Sequence, residues 1–124
     1  MDKIISSFID TYYSSIMHKG YSSVFRYFRP NVKCVFNNTF SEGAYNIVLS
    51  FADLGIKSQN FYNITYVYQT LGSNSNIIIN IHGYIKGHTY YNTETEPIKF
   101  SEILILDVGP DNNVLISNIV MIFV

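Results

Sequence analysis

The sequence predicts an α+β fold, with helices gathered first and antiparallel strands gathered last. Three observations carry this. Apolar residues recur at helical spacing through the first half. From residue 61 the chain becomes rich in Tyr, Val, Ile and Thr, in runs of eleven residues (61–71, 77–87, 98–108 and 114–124). Gly72–Asn76 and Gly109–Asn113 separate two pairs of these runs with turn-forming residues.

The elements follow in order. Ile5, Phe8, Ile9, Tyr12, Tyr13 and Ile16 mark one face of a first helix, with Asp2 as its expected cap and Gly20 as its end. A second short helix is expected over Tyr21–Phe28, and Pro30 disfavours its continuation. Val32, Cys34 and Phe36 alternate as a strand does. A third helix is expected from Ala44 to Leu54, apolar at Ile47, Val48, Phe51 and Leu54, capped by Ser41 with Glu42 and closed by Gly55. Four long strands complete the chain, with a longer polar connection, His88–Glu96, between the second and third. Ile77–Ile79 and Ile103–Leu106 are consecutively apolar, which predicts burial on both sheet faces. Three helices cannot cover both, so a second copy or a related subunit is expected on the open face.

Composition narrows the function. A chain of 124 residues fits one domain, 1–124, with enough buried surface to need no disulfide or metal. Charged residues are only 14% against 48% hydrophobic, and formal net charge is −1, which argues against disorder and against a basic nucleic-acid surface. There are eleven Tyr and nine Phe but no Trp, so a partner is expected to cover some aromatic surface. The single Cys34 and the lack of a leader-like start predict a reducing intracellular compartment. No apolar run approaches the roughly 20 residues of a membrane helix. No metal-ligand spacing or phosphate-binding glycine loop is present.

Element order and several local patterns resemble the nuclear transport factor 2 family. Ser6-Ser7-Phe8-Ile9 followed by Tyr12-Tyr13 resembles its opening helix, and Val24 with Tyr27-Phe28 its second. Phe36-Asn37-Asn38 resembles the end of its first strand, and Gly43 with Ile47 the start of its third helix. Ile77, Ile81 and Gly83, then Phe100-Ser101-Glu102 with Ile105-Leu106, and finally Asn118, resemble its later strands. The resemblance spans nearly the whole chain. It implies a cone-like fold of three N-terminal helices packed on a curved, mainly antiparallel sheet. It further implies a non-catalytic protein-binding module in nucleocytoplasmic transport, without cofactor, in cytoplasm and nucleus and at the nuclear envelope. Transport-factor members are homodimers that bind GDP-form Ran GTPase and the Phe-Gly repeats of the nuclear pore.

Carried onto this sequence, the partner-binding pocket and rim are Phe36, Asn37, Glu94 and Glu96. Phe36 stands where the family has Trp, and Asn37 where the Ran-binding members have Glu. Glu94 and Glu96 match two loop acids that face a basic partner. Ile119 and Ile122 replace the acid and the arginine of the family's closing motif. Two alternatives stay open: a heterodimer subunit of an mRNA-export receptor, to which Asn37 points, and a small-molecule enzyme or binding protein. The enzyme needs a buried acid or base near a tyrosine. Its candidates are His82 within a strand, Asp10, Asp53 and Asp107, with Cys34 as a nucleophile if a histidine approaches it.

Overall fold

The structure is a computed structural model. It describes the backbone of residues 1–53, 58–72, 75–88 and 97–124, and side chains over these spans except 51–53, 58–60 and 87–88. The order is α1 (Asp2–Lys19), a 3-10 helix (Tyr21–Tyr27), β1 (Phe28–Phe36), β2 (Thr39–Glu42), α2 (Ala44–Asp53), β3 (Ser58–Leu71), β4 (Asn76–His88), β5 (Ile98–Val108) and β6 (Val114–Phe123). The fold is α+β as expected.

The six strands form one sheet in the order β2-β1-β6-β5-β4-β3. Only β1 and β6 run parallel; the other neighbours are antiparallel. Register shifts at Phe28/Lys33, Tyr62/Thr65 and Ile105/Leu106 insert bulges, which bend strands and add twist.

α1 buries the six residues that its spacing marks, from Ile5 to Ile16. Each contributes about 1.5–3 kcal/mol when fully removed from water. They meet one parity of the strands: Val32, Cys34 and Phe36 on β1, Ile77, Ile79 and Ile81 on β4, Phe100 and Leu104 on β5, Ile116, Ile119 and Met121 on β6. Gly83 shares this parity, and a Cβ there would stand 2.6 Å from Cδ1 of Ile64 and 3.0 Å from the Phe100 ring.

Four local expectations need correction. Asp2 is the first residue of α1 and makes no cap; its carboxylate accepts a hydrogen bond from the Tyr68 hydroxyl instead. The second helix is a 3-10 turn, and Phe28 already belongs to β1, so Pro30 lies inside a strand and terminates nothing. Within that turn Val24 is buried but Phe25 is 48% exposed. Residues 39–42 form a short strand rather than a cap, and Gly43 (φ 90°) precedes α2, its carbonyl accepting from Ile47 N–H. Leu54 and Gly55 lie outside the described residues, as does most of the His88–Glu96 connection.

Candidate functional site

Strand parity places a carboxylate in the interior. Along β5, Phe100, Glu102, Leu104 and Leu106 face the helices, and Glu102 is only 2% exposed. Its strand neighbours are Ile81 and Met121. From α1, the Tyr13 hydroxyl donates a 2.5 Å hydrogen bond to Oε1 of Glu102. Tyr13 itself packs against Phe61 and Phe100, and its ring meets that of Tyr12 at 79°.

A carboxylate taken out of water resists ionisation. Burial pushes the Glu102 carboxyl up to about 7, and the Tyr13 hydrogen bond pulls it partly back. The same burial, followed by the Glu102 charge, holds the phenols of Tyr12, Tyr13 and Tyr21 above their ordinary value. It also pushes the Cys34 thiol up to about 12, which keeps the thiol protonated and unreactive. The arrangement is an acid poised near neutral pH beside a hydrogen-bonding phenol, inside aromatic and aliphatic walls.

The residues nominated for catalysis lie elsewhere. His82 is exposed on the opposite sheet face, between Thr65 and Ser101 in register. Asp10 is exposed on α1. Asp107 is ion-paired with Nε of Arg29 and accepts from Nδ2 of Asn76 at 2.7 Å. The side chain of Asp53 lies outside the described residues. Glu102 is not among the sequence candidates, although it shares the parity of Phe100, Leu104 and Leu106 along β5.

Phe36, nominated for the partner pocket, is buried at the end of β1 and meets the Phe123 ring edge-on at 4.9 Å between centroids. Asn37 follows with φ 51°, and its Oδ1 accepts from Phe123 N–H at 3.1 Å. Its own N–H donates to the Met121 carbonyl. Phe36 and Asn37 thus share Phe123 as a neighbour and join the ends of β1 and β6. Glu94 and Glu96 lie outside the described residues. An open depression elsewhere, between α1 and the β5–β6 turn, is lined by Ile4, Phe8, Tyr27 and Val114. Among the described residues no three metal-ligating side chains cluster.

The sheet face away from the helices is the other feature of note. Ile103 stands between Asn80 and Val120, and Val120 is paired with Val35. Ile105 stands between Ile78 and Asn118. These five aliphatic residues are half-buried, and Val67 (70%) and Ile122 (46%) on the same face are exposed. Among the described residues charge on this face is peripheral: Lys33 in register with Glu42, then Lys86 and Lys99, with Arg29 and Asp107 neutralising each other.

No protein-family profile matches the chain, and no curated protein matches its sequence. Solved structures match it in shape. Nuclear transport factor 2 from Cryptosporidium parvum superposes with a TM-score of 0.81 at 22% identity, over 99% of this chain and 94% of that one. A chain of the Candida albicans Mtr2–Mex67 M domain complex gives 0.80 at 11%, over 98% and 93%. A ketosteroid isomerase-like protein from Erwinia carotovora atroseptica gives 0.77 at 7%, over 98% and 95%. The chain therefore has the nuclear transport factor 2-like fold, in agreement with the resemblance read from its sequence. That fold is shared by a transport factor, a subunit complex and an enzyme-like protein, so it leaves function to the site.

Proposed function

We propose that the chain is a non-catalytic protein-binding module in nucleocytoplasmic transport, working as a homodimer through its open sheet face. The observation that carries the reading is the aliphatic patch of Val35, Ile78, Ile103, Ile105 and Val120, whose centre holds no charge. Such a patch on an uncovered sheet favours burial against a matching surface, and two copies of one patch match about a twofold axis. The 124 residues act as one unit in cytoplasm and nucleus and at the nuclear envelope. Its partners are GDP-form Ran and pore Phe-Gly repeats, met at Phe36, Asn37, Glu94 and Glu96. A related subunit in place of the second copy, as in an mRNA-export receptor, is the variant of this reading that Asn37 favours.

Light scattering on the eluting protein tests the assembly. Twice the 14.2 kDa chain mass is expected, reduced to one chain by Ile103→Lys with Ile105→Lys. A wild-type monomer at micromolar concentration refutes the homodimer. A pull-down with GDP-loaded and GTP-loaded Ran tests the partner: GDP-dependent capture, lost in Glu94→Lys with Glu96→Lys, is expected. Capture indifferent to nucleotide or to both substitutions refutes it.

The Glu102–Tyr13 pair favours a second reading, a small-molecule binding protein or enzyme. A carboxyl near neutral pH can both give and accept a proton, as general acid–base chemistry requires. Opened to solvent, the pair would take an uncharged, hydrogen-bonding ligand among its aromatic neighbours. Thermal-shift screening with such compounds supports this reading if a stabilising compound loses its effect in Glu102→Gln. Equal stabilisation of both proteins, or none, removes it.

A further inference from the structure

Among the described residues β3 forms one end of the sheet and pairs only with β4. An end strand presents unpaired backbone N–H and C=O groups, and proteins usually guard it with charge, proline, a bulge or a covering element. Among the described residues the guard covers only the first half. Asn63 bulges with φ 52°, and Sδ of Met17 on α1 accepts from Phe61 N–H at 3.3 Å. From Thr65 to Leu71 the register with β4 is unbroken. The whole strand, Ser58–Leu71, contains no charged residue and no proline. Its exposed face is apolar at Val67.

We propose that the Thr65–Leu71 edge pairs with the same edge of a second copy, antiparallel about a twofold axis at Val67, joining two sheets into one. The pleat requires paired residues to lie on the same side of the sheet, so the axis must pass through a residue and not between two. Centring it on Val67 sets Tyr66 against the partner's Tyr68, twice by symmetry, and Thr65 against the partner's Gln69. Aromatic pairs and polar pairs are the combinations that stabilise adjacent strands. A second copy is the occupant that this composition fits. A charged edge repels its own image across a twofold axis, whereas this strand carries no charged residue and the nearby Asp2 carboxylate is held on the helix side by the Tyr68 hydroxyl. Tyr66 and Tyr68 pack toward the helices, so this contact is distinct from the sheet-face contact proposed above and does not depend on it.

The test uses the full chain carrying Ile103→Lys and Ile105→Lys, which removes the face contact, at millimolar concentration, because the edge contact is the weaker of the two and leaves the masses expected at micromolar concentration unchanged. In an antiparallel pair, opposed Cα atoms lie about 4.5–5.5 Å apart, within disulfide reach. Val67→Cys is therefore expected to form a disulfide-linked dimer on mild oxidation. Thr65→Cys alone and Gln69→Cys alone are expected to form no disulfide-linked dimer, while the two together cross-link. Val67→Lys, at an exposed site that tolerates the change, is expected to weaken self-association about tenfold. Cross-linking of Val67→Cys no stronger than that of Thr65→Cys alone, or self-association unmoved by Val67→Lys, overturns the proposal. Either failure leaves the face dimer of the unsubstituted chain standing, so the two contacts are judged separately.

Discussion

Glu102 is a buried carboxyl whose ionisation the fold opposes. Its carboxyl rises from an ordinary 4.5 to about 7 in the folded chain. Between these values the folded state holds a proton that the unfolded state has released. Stability contributed by this group is therefore full below pH 4.5, falls as pH rises, and is lost above about 7. The total is about 3 kcal/mol, since each pKa unit corresponds to roughly 1.4 kcal/mol. Urea unfolding across pH 4.5–8 is expected to show this decline in the wild type. Glu102→Gln, which keeps an acceptor for the Tyr13 hydroxyl and carries no charge, is expected to flatten it and to be the more stable protein at pH 8. A Gln variant with the full decline would assign the effect to another group. The residue was findable: the consecutive aliphatics Ile103–Leu106 drew attention to both faces of β5, when alternation alone marks Glu102 as inward.

At the scale of elements, legibility followed length. α1, α2 and the four long strands were visible because each repeats its period several times. β2 was not, because four residues carry too little alternation, and its Ser41 and Glu42 also fit a helix cap. The 3-10 helix reads as an ordinary one in the sequence because seven residues cannot separate a period of 3.0 from 3.6. Gly20 links these two helices at φ 84° and ψ 174°, a conformation nearly confined to glycine. Its N–H donates to the Ile16 carbonyl at 2.9 Å, and its carbonyl accepts from Oγ of Ser23 at 2.7 Å. An added Cβ meets nothing within 4 Å, so backbone strain alone opposes substitution. Gly20→Ala is expected to cost about 1–3 kcal/mol, read as a lower urea midpoint with an unchanged slope. A change under a few tenths of a kcal/mol would show that the joint relaxes to another conformation.

For the whole molecule, the sequence already pointed to one helix-covered face and one uncovered face, through the excess of aliphatic residues over charges. Which partner meets the uncovered face was not legible there, since an apolar patch favours burial without naming what buries it. The placement of charge now separates two kinds of contact. On the open face Lys33 stands in register with the oppositely charged Glu42, and the other described charges outside the Arg29–Asp107 pair, Lys86 and Lys99, share one sign and lie beyond the aliphatic centre. Two copies meeting there bring like charges together at the rim, and salt screens that repulsion. Self-association through the face is therefore expected to hold or strengthen as sodium chloride rises from 0.1 to 1 M, where the screening length shrinks from about 10 to about 3 Å. The proposed capture of a basic partner by Glu94 and Glu96 would draw on attraction between opposite charges, and is expected to weaken over the same range. Sedimentation equilibrium and the Ran pull-down, each run across this salt series, measure the two trends. A dimer that dissociates in salt would place its contact among opposite charges and away from the aliphatic patch.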